Sequence, residues 1–228
     1  MVKKQLLQFL LGILAGLAIG LGSFLFVITK TYVPGEYGKI LGSIVFSIGL
    51  FLVCTFMLSL YTGKIGLVFE KKQEAWFYIS LPVMIIGNAV GAVGLGLLCY
   101  LIFKGNEDVM KTITGVCDIR SAQFDHIESA EPFLVTFIKG FACGFCVYLA
   151  VKSFAANRLK PVGIILLVFF VFLFVYFGFE HCIANMFYFS MGFKWTGGAF
   201  INLFLVILAN SLGTIPGVFM LKLFSKNK

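Results

Sequence analysis

An acidic residue and a histidine stand side by side within one long apolar stretch of this chain. Glu180 and His181 lie in the motif Gly-Phe-Glu-His-Cys-Ile-Ala-Asn-Met, which interrupts residues 161–193. Ionisable side chains at membrane depth cost on the order of 3 kcal/mol each and are retained mainly where they face a cavity or a pathway. Histidine changes its charge near neutral pH, because its unperturbed pKa is about 6.5. The pair therefore favours a transport function in which His181 holds or donates a proton.

A second polar interruption, Leu-Tyr-Thr-Gly-Lys at residues 60–64, lies within the apolar residues 40–69. Its Thr62 hydroxyl could orient the imidazole of His181 or a substrate. Both apolar stretches exceed the roughly 20 residues that one helical crossing needs, so each indicates a helix that stops, turns and resumes. Such breaks create half-helix N-termini, whose partial positive charge favours anions. An anion-selective site between the two breaks is predicted.

The composition determines the class of protein that carries this site. The 228 residues are 60% hydrophobic and 12% charged, with a mean hydropathy of +1.02, which indicates an all-α polytopic membrane protein. The first apolar run has full spanning length, so no cleavable signal peptide is predicted. One transmembrane channel domain is predicted over residues 1–228, with repeat halves at about 1–103 and 133–228 and an outer loop at 104–132. Charge-poor segments predict six spans, at residues 6–28, 40–63, 75–103, 133–151, 161–193 and 195–221.

Basic residues predict the orientation of these spans. They concentrate on the side that would carry both termini, as with Lys64, Lys71 and Lys72, so the positive-inside rule predicts cytoplasmic termini in the cell membrane. The net charge of +8 then reflects lysines at an anionic lipid surface, and no nucleic-acid partner is predicted. Residues 104–132 are acidic and should lie outside, where His126 is interpreted as a solvated loop residue.

Cysteine spacing gives no cofactor. Cys143 and Cys146 have the Cys-x-x-Cys spacing of redox motifs, but they lie in an apolar helix rich in small residues, where packing is the better explanation. We predict no disulfide framework, no metal site and no other cofactor.

The two halves share landmarks. Gly12 and Gly16 in the first span correspond to Gly140 and Gly144 in the fourth, and the Asn-Ala-Val-Gly of the third span corresponds to the Asn-Ser-Leu-Gly of the sixth. Each half has three spans, so the copies must insert with opposite topology. Paired broken helices in such an inverted repeat point to a substrate site at the membrane midplane.

Glu180 would oppose anion passage if it faced the pathway in its charged form. We therefore expect it to point into the protein and to pair with a backbone donor or a cation. Lys139 is either that cation or a separate positive charge that attracts anions near the outer end of the fourth span, and the sequence leaves both open. A further alternative is that Glu180 and His181 form a structural polar cluster that joins helices.

Residues 178–187 closely resemble the fifth-helix motif of the formate/nitrite transporter family. The match extends over essentially the whole chain, to residues 60–63, 87–91, 210–213 and Lys139. The resemblance implies an aquaporin-like fold of six helices with the second and fifth broken, five protomers in a ring, and one pathway in each protomer.

The resemblance also implies roles for individual residues. His181 becomes the central histidine, Thr62 its partner, Asn210 the sixth-helix asparagine and Lys139 the fourth-helix lysine. Side chains that periodicity alone would place in the core or toward lipid become the walls of two constrictions: Phe46, Leu50 and Phe174 for the outer one, and Leu60 and Tyr61 for the inner one. Tyr61 stands where formate and nitrite channels often carry phenylalanine, and the wording at residues 60–64 looks like the hydrosulfide-channel branch, so the preferred anion stays open.

These observations together predict a homopentameric channel or proton-linked transporter for small monovalent weak-acid anions such as formate, nitrite and hydrosulfide. Its partners are those anions, protons and membrane lipid. Two apolar constrictions would exclude hydrated ions, while a proton supplied near His181 would neutralise the anion and remove its desolvation penalty. Movement of the anion alone and of the anion with a proton both stay open.

Three alternatives fit the sequence less well. A neutral-solute channel of aquaporin type would need paired Asn-Pro-Ala repeats, which are absent, and ammonium transport would prefer two pore histidines. An intramembrane enzyme would need a nucleophile with a base or a metal cluster. Cys182 follows His181 directly, but adjacent helical residues point in different directions, so no enzyme is predicted.

Overall fold

The computed structural model describes residues 2–125, 129–157 and 160–225, with side chains as far as residue 223, so the predicted solvated His126 lies outside the described residues. Within these ranges the chain consists of α-helices joined by turns and one short 3-10 helix at Ala122–Phe124, and it has no strand. The helices in chain order are α1 (Val2–Tyr32), α2 (Gly35–Thr55), α3 (Tyr61–Lys64), α4 (Leu67–Glu70), α5 (Ala75–Phe103), α6 (Glu107–Ser121), α7 (Glu131–Ala156), α8 (Pro161–Tyr176), α9 (Cys182–Met191) and α10 (Gly197–Ser225).

Five of these helices, α1, α2, α5, α7 and α10, are long and apolar enough to cross a membrane. The region predicted as the fifth span contains two shorter apolar helices, α8 of 16 residues and α9 of 10 residues. Residues 177–181 between them are not helical. An all-helical multi-pass membrane protein agrees with the predicted class.

The second apolar segment differs from its predicted bounds of residues 40–63. Helix α2 starts earlier because Pro34 is extended (φ −71°, ψ 149°) and Gly35 has a φ of +65°, which together turn the chain into the helix. It also ends earlier, at Thr55, because Met57 has a φ of +55°. Thr62 therefore lies on the short helix α3 that follows the turn, and not at the turn itself.

The predicted outer loop at residues 104–132 is largely the helix α6. Asn106 caps its start, since the side-chain oxygen accepts from the Val109 backbone N–H at 3.1 Å, and two acidic residues follow in the first turn. Val109, Ile113, Val116 and Cys117 are buried on one face. This amphipathic spacing identifies a surface helix, which a search for charge-poor segments cannot find.

The two halves pack in the same way. Helix α1 lies against α5 and α2, while α7 lies against α10 and α8. The halves meet where α5 packs against α9 and where α2 packs against α8. Glycines permit the closest approaches: a Cβ atom at Gly16 would collide with the Asn88 backbone carbonyl, and one at Gly144 with the Asn210 carbonyl. These contacts bring both asparagines into the interior of their halves.

Candidate functional site

Asn88 holds the chain where it leaves α2 and enters α3. Its Oδ1 accepts from the Tyr61 backbone N–H at 2.8 Å. Its Nδ2 donates to the carbonyls of Ser59 at 2.8 Å and Gly12 at 2.9 Å. Asn88 is fully buried, so a single side chain on α5 satisfies backbone groups that have no helical partner at this turn.

Asn210 does the same for the chain between α8 and α9. Its Oδ1 accepts from the Cys182 backbone N–H at 3.0 Å, and its Nδ2 donates to the carbonyls of Glu180 and Gly140, both at 2.8 Å. Both amide hydrogens of Asn210 are therefore committed to the backbone. The side chain acts on the candidate site by fixing residues 180–182.

His181 and Thr62 meet where the two turns approach each other. The His181 Nε2 atom lies 2.9 Å from the Thr62 Oγ1 atom, and both residues are buried. His181 also caps α9, because its Nδ1 atom accepts from the Ala184 backbone N–H at 3.3 Å. With Nδ1 acting as an acceptor, the neutral ring carries its proton on Nε2 and donates it to Thr62. The Thr62 hydroxyl hydrogen is then free to donate to another group.

Bulky apolar side chains lie beside this pair. Phe46 contacts Phe174 edge to face at a centroid distance of 5.7 Å, and Phe174 stacks on the His181 ring at 6.0 Å. These three side chains line a cavity of about 20 Å³, which is room for about one water. Leu50 is buried nearby in the same hydrophobic core. A hydrated ion does not fit here.

The two residues predicted as the inner constriction, Leu60 and Tyr61, directly precede Thr62 in the chain. Leu60 is buried, with 1% of its surface exposed, and it borders a larger cavity. Tyr61 is half-buried, and its hydroxyl lies 2.9 Å from the Ser211 Oγ atom on α10. Leu60 thus gives the cavity an apolar wall, while a hydrogen bond to Ser211 fixes the position of the neighbouring Tyr61 side chain.

Arg120, which the sequence analysis placed in the outer connection, contacts the candidate site directly. Its Nε atom lies 3.0 Å from Asn185 Oδ1 and 3.5 Å from Glu180 Oε2, and its guanidinium lies over the Tyr188 ring at 4.8 Å. The Glu180 Oε2 atom also accepts from Asn185 Nδ2 at 2.6 Å. Arg120 lies four residues after the buried Val116, so it continues the buried face of α6. The helical spacing of this face is a sequence pattern that could have placed Arg120 against the protein interior.

Glu180 points into the protein, and in the described part of the chain the cation within ion-pair distance of it is Arg120. The alternative in which Lys139 is that cation is therefore wrong. Lys139 contributes its backbone carbonyl, which accepts from the Glu180 N–H at 3.4 Å. Lys139 also borders the cavity toward α6, and its attraction of anions stays a prediction. The reason is the fold: α6, missed as a helix, places a guanidinium beside α9.

Two larger cavities lie on opposite sides of the buried pair His181 and Thr62. The one toward α6, of about 420 Å³, is named the α6-side cavity. The one toward both chain ends, of about 310 Å³, is named the terminal-side cavity, and its charged lining residue is Lys64. Charged residues that line the α6-side cavity are Lys30, Lys39, Lys139 and Arg120 against Glu36 and Glu180. Both cavities thus have a positive balance, which raises the local concentration of anions.

The cysteines form no disulfide or metal site in this arrangement, although Cys54 lines the terminal-side cavity. All six are free thiols, and Cys143 and Cys146 are buried in α7. Among the described residues, no group of three or more His, Cys, Asp or Glu side chains could hold a metal ion.

Membrane-spanning helices around a buried polar pair, with a cavity at each end, are typical of membrane transport proteins. Residues 2–224 match the model of the formate/nitrite transporter family, and the chain belongs to that family, as the resemblance predicted. It is 27% identical over 197 residues to the formate channel FocA of Haemophilus influenzae, covering 83% of this chain and 68% of that protein. It is 30% identical over 198 residues to the formate channel FocA of Escherichia coli K12, covering 83% and 67%.

Solved structures agree with this assignment. A pentameric formate channel with formate bound superposes with a TM-score of 0.82 at 25% identity, covering 99% of both chains. An FNT family ion channel superposes with a TM-score of 0.76 at 21% identity, covering 95% of this chain and 89% of that chain, which supports the fold. These relatives are channels, which confirms the prediction that the protein is not an enzyme.

Proposed function

We propose that this protein is a homopentameric channel that conducts formate across the cell membrane, with one pathway in each protomer. The observation that carries the proposal is the contact of 2.9 Å between His181 Nε2 and Thr62 Oγ1, buried between two cavities with a positive balance of charge. Membership of the family and the similarity over 99% of the chain to a pentameric formate channel support both the substrate and the assembly.

The proposed pathway runs from the α6-side cavity to the terminal-side cavity. It passes the outer constriction of Phe46, Leu50 and Phe174, then His181 and Thr62, then the inner constriction of Leu60 and Tyr61. In this arrangement α2 with α3 and α4 forms the second of six spans, and α8 with α9 forms the fifth. Both termini then lie in the cytoplasm, as the positive-inside bias predicts.

The proposed chemistry follows from hydrogen bonding at the pair. The Thr62 hydroxyl, already accepting from His181, donates to an anion that has lost its water at the constrictions. A proton that reaches the anion from the imidazole region removes its charge and hence most of its desolvation cost. Nitrite and hydrosulfide are small monovalent anions of weak acids, so the same steps apply to them. Arg120, Lys139 and the other cations of the α6-side cavity attract the anion before it sheds water.

Anion flux in proteoliposomes tests this function. The wild-type protein is expected to conduct formate, and His181→Asn is expected to lower the flux roughly tenfold or more and to remove its pH dependence between about pH 5 and 8. His126→Asn, which changes the only other histidine of the chain, is the matched control and should conduct like the wild type. Flux of glycerol or urea without formate would favour the aquaporin-like alternative. A wild-type rate and pH profile in His181→Asn would show that His181 is structural.

A further inference from the structure

The terminal-side cavity is apolar except for one amine. Its walls come from the end of α2, from α3 and from the end of α7, and the charged group among them is the side chain of Lys64. Its apolar lining residues include Val53, Leu60, Val151 and Phe154, and the Cys54 thiol also lines it. A volume of about 310 Å³ is far more than the roughly 10–15 Å³ that one water requires.

The amine of Lys64 is held in place by a chain of polar contacts. Its Nζ atom donates to the Ser59 Oγ atom at 3.1 Å, and the Ser59 hydroxyl donates in turn to the Gln8 Oε1 atom at 2.6 Å. Ser59 is fully buried, and its backbone is fixed by Asn88. The position of the amine thus depends on α1, the turn after α2, and α5, and not on a free lysine rotamer.

This amine has unused hydrogen-bonding capacity. An ammonium group has three donors, and the described residues accept one of them, through Ser59. No carboxylate in the described ranges lies within ion-pair distance of Lys64. A half-buried cation with free donors at an apolar wall matches a ligand that has an anionic head and a short apolar tail.

We propose that the terminal-side cavity is a binding site for aliphatic monocarboxylates of about three to six carbons, with the carboxylate on Lys64 and the tail against Val53, Val151 and Phe154. Formate has no tail and gains nothing from that wall. A longer acid gains binding with each methylene that it buries, but Leu60 closes the cavity toward Thr62. The longer acids therefore bind and obstruct formate at this mouth. The obstruction rests on the proposed formate conduction, whereas the binding does not.

Calorimetry with the purified protein tests the binding directly. Formate, propionate, butyrate and hexanoate are titrated at about pH 7.5, well above the carboxylic acid reference pKa of about 4.3. Affinity is expected to rise up to about fourfold per added methylene. Lys64→Met keeps the length of the side chain and removes the charge, and it should weaken butyrate binding about tenfold or more. Lys71→Met, an exposed lysine of the same side outside the cavity lining, is the control and should bind like the wild type.

A second variant makes the test independent of whether the Lys64→Met protein folds correctly. Ala155→Phe fills the cavity from an exposed position and should abolish the gain with chain length while leaving Lys64 in place. Equal affinity for formate and butyrate in the wild type, or unchanged butyrate binding in both Lys64→Met and Ala155→Phe, would overturn the site. Formate flux without butyrate binding would reject this inference alone. Butyrate binding that Lys64→Met weakens, in a protein without formate flux, would reject the proposed function alone.

Discussion

The turn after α2 and the turn before α9 have the same backbone scaffold and different side chains. Asn88 and Asn210 each bind the backbone N–H of the residue that starts the next helix, the carbonyl two residues before it, and a glycine carbonyl on a neighbouring helix. At the position between those two backbone groups the first turn has Leu60 and the second has His181. The duplicated scaffold therefore fixes geometry in both halves, while only one half supplies a titratable ring.

The comparison extends to the charges beside the turns. Ser59 and Glu180 occupy equivalent places, and each contacts a cation that borders the cavity on its own side: Lys64 at 3.1 Å from Ser59, and Arg120 at 3.5 Å from Glu180. Among the described residues the neutral serine gives Lys64 no counter-charge, whereas Arg120 lies within ion-pair distance of the Glu180 carboxylate. The same backbone arrangement therefore places a lysine beside a neutral serine in one half and an arginine beside a carboxylate in the other.

Removal of either asparagine should have the largest effect. Asn88→Leu and Asn210→Leu each leave one buried N–H and two buried carbonyls without a partner, at about 1–3 kcal/mol for each group. Both variants should lose formate flux and unfold at clearly lower temperatures in detergent, by similar amounts if the scaffolds are equivalent. A large loss for one and little change for the other would break the equivalence.

Loss of the ion pair between Arg120 and Glu180 at the second turn should have the next largest effect. Arg120→Gln leaves the Glu180 carboxylate buried and unpaired, which is expected to cost roughly 3–5 kcal/mol. Glu180→Gln together with Arg120→Gln removes both charges and should recover much of that stability. Thermal unfolding of the single and double variants measures the difference, and additive losses would show that the two side chains do not act as a pair.

Thr62 should give a smaller effect than His181. Thr62→Val keeps the shape of the side chain and removes the hydroxyl that lies 2.9 Å from His181, so formate flux should fall roughly three- to tenfold. Thr62→Ser keeps the hydroxyl and serves as the control. Equal flux in Thr62→Val and the wild type would remove Thr62 from the proposed pathway.

The smallest expected effect concerns backbone conformation. Met57 has a φ of +55° and Gly178, at the equivalent place in the second turn, has a φ of +68°. A left-handed conformation costs a non-glycine residue roughly 1–2 kcal/mol, so Met57→Gly should raise thermal stability slightly and Gly178→Ala should lower it. A fall in stability on Met57→Gly would mean that its side chain stabilises the turn more than the strain costs.

Much of this arrangement could be predicted from local sequence. Polar motifs within apolar stretches identified His181 and Thr62, and the repeated Asn-x-x-Gly words identified both asparagines, because each signal lies within a few residues. The contact between Arg120 and Glu180 could not be predicted from local sequence. The two residues are 60 positions apart, and the contact exists only because α6 packs against α9. The left-handed Met57 was missed as well, since methionine carries no turn signal.

The cap that His181 places on α9 restricts how the ring can carry charge. A second proton can enter only at Nδ1, the atom that accepts from the Ala184 N–H at 3.3 Å. Protonation there sets two donors face to face, so an imidazolium must release the first turn of α9 or pass its proton on quickly. The ring therefore holds a second proton only briefly. In the proposed pathway, once that proton has passed to the anion the ring is neutral again and holds no ion pair with the substrate, which can leave as readily as it arrived.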